Sequence, residues 1–246
     1  MIASLPMYDR PENRAAHDTL WTLIRDGLLA RGLDAPDALD RDTPYDEGWG
    51  RPDLVLGQIC NLPWRARFRD RVTLIGASDY GLEDAGPGEY YSVIVARADD
   101  PAPGFRFALS DPLSNSGWDS GQDWAARNGV PIRPTLVTGS HAESLRAVAE
   151  GRADLAAIDA VTWRNLLRWD QLAQEMRVLG RSAPSPGQSF ITRAGQDPAP
   201  YRDAIAQAIR ALPAPEAEML GLRAIVALPP SAYDRPLPPV PDVTAH

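Results

Sequence analysis

Apolar positions along this chain recur with two different periods. Leu20, Trp21, Ile24, Leu28 and Leu29 stand three and four residues apart, the spacing of one helical face. Pro11 and Glu12 suit the start of that helix and Gly32 its end. Short apolar runs read instead as strands: Ile2 to Met7, Leu54-Val55-Leu56 running into Gly57-Gln58-Ile59-Cys60, and Val72 to Gly76. Between the last two lies the basic segment Arg65 to Arg71, which predicts a short helix. Tyr90 to Arg97 is the strongest strand signal in the chain.

The middle third alternates the two periods. Phe105 to Leu109 reads as a strand, followed by a turn and a helix from Trp118 to Asn128 that Gly129 stops. Ile132 to Val137 is the next strand, followed by a helix from His141 to Glu150 that Gly151 stops. Ala153 to Ile158 is a third, followed by Asp159 and a helix through Leu167. Strands alternating with single helices predict βαβ units and a mainly parallel sheet. Met176 to Leu179 and Ser189 to Thr192 are later strands, and Tyr201 to Leu212 is an amphipathic helix. Six prolines between Pro229 and Pro241 favour an extended tail over residues 228–246. The pattern suggests two α/β lobes: residues 1–93 with 180–246 as the first, the tail included, and 94–179 as the second.

Composition narrows the chemistry. The 246 residues are 44% apolar, enough for real cores, which excludes wholesale disorder. A net charge of -8 argues against nucleic acid or an anionic membrane surface as partner. All 25 basic residues are Arg, so Schiff-base and P-loop lysine chemistry is absent. Cys60 is alone, so no internal disulfide forms. His17, His141 and His246 lie far apart without metal spacing, and neither a metal nor a cofactor is expected. No apolar run approaches the ~20 residues that span a bilayer. The first residues do not read as a signal peptide, because Asp9, Arg10 and Glu12 follow the short run Met1 to Met7 at once.

In open α/β sheets ligands bind at the carboxyl ends of strands, so the strand-to-helix turns are where a site is sought. Three carry small polar residues. Ser114-Asn115-Ser116-Gly117 offers hydroxyls and backbone amides that can hold an oxyanion, although Ser116 also suits a helix N-cap. Thr138-Gly139-Ser140-His141 contains an S-x-x-E capping box, Ser140 with Glu143, which leaves Thr138 and His141 unexplained. Asp159 suits an N-cap or a carboxylate facing a ligand. Tyr8, Gln58 and Tyr80 follow the first three strands and could complete a crevice from the other lobe.

Several of these segments occur together in a recognisable order: Leu5-Pro6-Met7-Tyr8, Tyr91 to Val95, Ser114 to Gly117, Thr138 to His141, Arg146 to Asp154, and Asp159. Over roughly residues 1–195 the chain resembles the phosphate/phosphonate-type substrate-binding proteins of ABC transporters. The S-x-S-G turn and the run from Ser140 to Asp154 are the most specific parts. The resemblance implies a two-lobed, type II periplasmic-binding-protein fold, each lobe a mainly parallel sheet flanked by helices, with the ligand clamped between lobes. It assigns the oxyanion to Ser114, Ser116, Gly117 and His141, a carboxylate role to Asp159, and the aromatic after the first strand to Tyr8. It also implies an ABC permease as partner and a periplasmic location, from which the chain departs by lacking an export signal and a lipobox cysteine.

The function expected is therefore non-enzymatic: a monomer that binds a small oxyanion, a phosphate ester, phosphonate or related acid, and closes about a hinge because the ligand stabilises the closed state. Two alternatives stand beside it. One is a cytosolic sensor of the same fold, which the missing signal favours. The other is a small hydrolase using Ser140, His141 and Asp159, against which stand the absence of a G-x-S-x-G elbow and the adjacency of Ser140 and His141.

Overall fold

The computed structural model describes residues 1–243; the last three residues of the Pro-rich tail lie outside the described residues. The chain forms two compact units, Met1–Glu89 with Pro186–Asp234, and Tyr90–Ser185 with the tail from Arg235. The first stretch carries β1 (Ile2–Ala3), α1 (Arg14–Leu29), α2 (Tyr45–Gly48), β2 (Leu54–Ile59), α3 (Asn61–Pro63) and β3 (Val72–Asp79), ending at β4 (Glu89–Tyr90). The second carries β5 (Ser92–Arg97), β6 (Arg106–Leu109), α4 (Ser120–Asn128), β7 (Arg133–Val137), α5 (His141–Ala149), β8 (Leu155–Asp159), α6 (Ala160–Trp169), β9 (Met176–Arg181) and β10 (Ser185–Pro186). The return adds β11 (Ser189–Arg193), α7 (Pro198–Ala211), α8 (Ala214–Leu220) and β12 (Ala224–Val226).

In the first unit the sheet order is β1-β2-β11-β3-β12. β1 and β2 are parallel, while β11 lies antiparallel between β2 and β3, and β12 is antiparallel to β3. Every residue of β2 is buried, as a strand covered on both faces requires. The helical stripe of α1 is realised at Leu20, Trp21, Ile24 and Leu28, with Ala16 and His17 extending it, whereas Leu29 is 50% exposed. α1 packs on α7 closely enough that a Cβ on Gly27 would stand 3.2 Å from the Ala204 methyl. Trp49, Trp64, Phe68 and Tyr233 close a second cluster with Leu54, Ile59 and Ile191. The Trp49 indole N–H donates to the Gln58 carbonyl at 2.8 Å.

The second unit has the order β7-β6-β8-β5-β9. β6 is parallel to β7 and β8, and β5 is antiparallel to β8 and β9. Because β6, β7 and β8 run the same way, the three turns that follow them emerge at one edge of the sheet. Ser92, at the start of the reversed strand β5, is in register with Asp159 at that same edge. Phe107, Leu109, Trp118, Trp124 and Leu155 form the core beneath it.

The structure corrects four expectations. The sheets are mixed rather than mainly parallel, because in each unit a strand next to a chain passage, β11 or β5, inserts antiparallel inside the order. The first strand stops at Ala3, where its ladder with β2 ends. The passages between units fall at 89/90 and 185/186. The tail from residue 235 belongs with the second unit, to which the Trp118 indole and Val243 tie it.

Candidate functional site

The first polar turn begins where β6 ends. Ser114 has extended backbone and its Oγ accepts the Gly117 amide at 2.8 Å, an N-cap. The chain then makes a wide, π-type turn over Asn115–Asp119 before α4 begins. The Ser114 carbonyl accepts from both Trp118 N–H, at 3.0 Å, and Asp119 N–H, at 3.2 Å. Turns of this width are rare and recur at functional sites. Asn115 Nδ2 donates to the Tyr90 hydroxyl at 3.0 Å and lies 3.3 Å from Ser185 Oγ, which pins the turn. Gly117 has no room for a side chain: a Cβ there would stand 2.4 Å from Ser110 Oγ and 2.9 Å from Ser114 Oγ. Glycine at this position thus lets two hydroxyls approach one backbone segment.

The second turn meets the first. Ser116 Oγ lies 2.8 Å from Nε2 of His141, the first residue of α5. Ser116 is 2% exposed, and His141 is partly buried with its Nδ1 enclosed and without a hydrogen bond of good geometry. Burial pushes the imidazole down to about 4, opposed by the nearby Ala157 backbone, so the ring is neutral at pH 7. A neutral imidazole has one donor and one acceptor nitrogen, and a hydroxyl can serve as either. Ser116 and His141 therefore form a pair that can turn a donor toward an incoming anion.

The other residues of that turn hold it in shape. Thr138 Oγ1 lies 2.7 Å from Ser144 Oγ, 3.0 Å from the Ser140 carbonyl and 3.2 Å from the Leu109 carbonyl. Ser140 Oγ accepts the Glu143 amide at 3.1 Å. The capping box is only half made, because Glu143 Oε1 takes Arg146 Nη1 at 2.5 Å. Asp159 is 1% exposed and its Oδ1 accepts the Val161 and Thr162 amides at 2.7 and 3.0 Å, capping α6. The hydrolase set Ser140, His141 and Asp159 is thus not assembled: the hydroxyl that meets His141 is that of Ser116.

In the first unit the structure brings Tyr8, Gln58 and Tyr80 to one pocket with Leu5, His17 and Leu20. The Tyr8 and Tyr80 rings meet edge to face at 5.0 Å, and Gln58 Oε1 is buried without a hydrogen-bond partner. Sequence reasoning missed three residues here and in the second unit. His17 extends the stripe of Leu20, Trp21, Ile24 and Leu28 by one turn, a signal that was available. Ser110 follows β6 directly, at the carboxyl end where ligand contacts are sought. Ser92, whose Oγ is buried and unpartnered beside Asp159, lay inside a strand signal and carried no mark of its own. Among the described residues no group of three or more His, Cys, Asp and Glu could hold a metal ion.

Two α/β units, with the polar turns of the second gathered at one edge of its sheet, suit the class of solute-binding proteins. The chain belongs to the family of periplasmic phosphonate substrate-binding proteins of ABC transporters, whose family model matches residues 64–225. No protein of curated function matches it by sequence. Solved structures share its type II periplasmic-binding-protein fold. PhnD1 from Prochlorococcus marinus, in complex with methylphosphonate, is 16% identical with a TM-score of 0.68, covering 94% of each chain. A Xanthomonas citri protein bound to ATP is 16% identical with a TM-score of 0.67, covering 94% of this chain and 92% of that one. A binding protein component of an ABC phosphonate transporter from Pseudomonas aeruginosa is 17% identical with a TM-score of 0.63, covering 94% and 82%.

Proposed function

We propose that this protein captures a small tetrahedral oxyanion, a phosphonate or phosphate ester, on the turns that follow β6 and β7, and delivers it in the periplasm to an ABC permease. The observation that carries this reading is the 2.8 Å approach of Ser116 Oγ to His141 Nε2 from two successive strand-to-helix turns. Ser110 and Ser114 hydroxyls crowd Gly117 beside them, and the first amides of a helical turn lack intrahelical partners. Hydroxyl, imidazole and amide donors suit an anion that is to be bound and then released, because none of them forms a permanent ion pair with it. Tyr8, Gln58 and Tyr80 are proposed to contact ligand from the first unit, while Thr138, Ser140 and Asp159 fix the turns. Among the described residues no helix is long and apolar enough to cross a membrane, which suits a partner that supplies the membrane passage.

Calorimetric titration with methylphosphonate, phosphate, phosphite and a sulfonate tests this. The acids bearing phosphorus should bind, and Ser116→Ala or His141→Ala should each weaken binding about ten- to a hundredfold, the loss of one hydrogen bond to a charged group. Ser116→Gly should lose affinity as Ser116→Ala does, and His141→Gln, which keeps a donor, should retain more than His141→Ala. Wild-type affinity in all four variants would remove the oxyanion from these turns.

A further inference from the structure

The π-type turn of the second unit is held from a direction that the family resemblance does not suggest. Trp118 sits two residues beyond Ser116 and is 2% exposed. Its ring packs 6.2 Å from that of Phe107, and its indole N–H donates to the Pro239 carbonyl at 2.7 Å. A buried indole N–H needs an acceptor, and here the tail supplies it. The same tail also touches the second unit through Val243 and Arg235. Val243 packs on the Phe107–Trp118–Trp124 cluster. Arg235 Nη2 lies 3.7 Å from Asp123 Oδ1 on α4, and the other oxygen of that carboxylate accepts the Ala183 amide at 2.8 Å.

Between these points Leu237 is 58% and Val240 89% exposed. Pro236, Pro238, Pro239 and Pro241 stiffen it into an extended segment, so that its fixed points keep their spacing at small entropic cost.

We propose that Trp118 is a positioning residue for the oxyanion turn, and that residues 235–243 form the strap through which it acts. The proposal rests on the oxyanion reading above. The π-type turn is the sensitive element: two amides share one carbonyl, and the wider geometry has to be maintained by packing around it. Releasing Trp118 from Pro239 frees the backbone between Ser114 and Asp119 to tighten toward ordinary α-helix. That change would move Ser116 away from His141.

The test uses the full-length protein with methylphosphonate and inorganic phosphate as probes, and nitrogen NMR of the His141 ring as a second readout. Trp118→Phe keeps a six-membered aromatic ring but removes the indole N–H together with the five-membered ring, so Val243→Asp is needed beside it. Val243→Asp leaves Trp118 intact and detaches the end of the strap. Val240→Asp, at an exposed position of the same tail, is the control. Trp118→Phe and Val243→Asp should each weaken binding about five- to tenfold, the scale of one ordinary hydrogen bond. Both should shift the His141 Nε2 signal in the ligand-free protein, and Val240→Asp should do neither. Unchanged affinity and an unmoved Nε2 signal in both variants overturn the strap, and so does a lower unfolding midpoint with affinity and Nε2 signal unmoved. Should Trp118→Phe fail to fold, Val243→Asp carries the test alone. Should the wild type bind neither probe, the oxyanion reading fails, while the Nε2 signal still decides the strap.

Discussion

His141 shows how one side chain couples the site to the stability of the fold. Burial holds its imidazole down to about 4, below the ordinary histidine value of 6.5. The unfolded chain therefore binds more protons than the native one between those values. Stability from this residue is complete above about pH 6.5 and declines as pH falls toward 4, by up to about 3 kcal/mol. His17, likewise lowered by desolvation, acts in the same direction. The contribution of His141 is isolated by comparing the denaturant midpoints of wild type and His141→Gln across pH 4 to 7. The difference between the two proteins should shrink or reverse toward acid; a difference independent of pH would mean that His141 titrates normally. Residue types at turn positions made His141 and Ser116 legible in the sequence. What the sequence could not supply was the partner: adjacency argued against Ser140, but no local pattern brings Ser116 across from the preceding turn to the imidazole, which the fold does.

At the scale of elements, α4 lies unusually close to β6. A Cβ added at Gly121 would stand 2.6 Å from Cζ of Phe107, a fully buried ring packed beside Trp118. Two effects compete when Gly121 becomes Ala. Helix propensity favours Ala by up to about 1 kcal/mol, while overpacking a filled core costs about 1–3 kcal/mol. Phe107 is fully buried and packed against Trp118, so the clash should win and Gly121→Ala should lower the unfolding midpoint in urea. A raised midpoint would show that α4 can slide away from the sheet. Helix and strand periods placed α1, α5, β3 and β5 within a few residues of their observed ends. α8 and β12 escaped notice because Pro213, Pro215 and Gly221 interrupt their short patterns before a period can repeat. Strand direction is also beyond local pattern: β5 and β11 look like any other apolar run, and their antiparallel insertion follows from where the chain passes between units.

For the molecule as a whole, the division of labour between the two units can be read by hydrogen exchange. A ligand held at 100 times its dissociation constant stabilises the bound state by about 2.7 kcal/mol, which slows exchange through ligand-releasing openings about a hundredfold. If the oxyanion sits on the turns after β6 and β7, the greatest slowing with methylphosphonate should fall on the amides of residues 114–120 and 138–144. These turns are tied to each other by Ser116 and His141, so an opening of either one releases the contact to the anion. Amides at Tyr8, Gln58 and Tyr80 should respond less, because these residues are proposed to reach the ligand through side chains, whereas the turns offer backbone amides as well. The reverse pattern, with the larger slowing beside Gln58, would place the anion in the first unit and leave the serine turn as a capping structure only. Uniform slowing of both units would mean that exchange proceeds through global unfolding. Milder conditions, under which local openings dominate, would then separate the two cases.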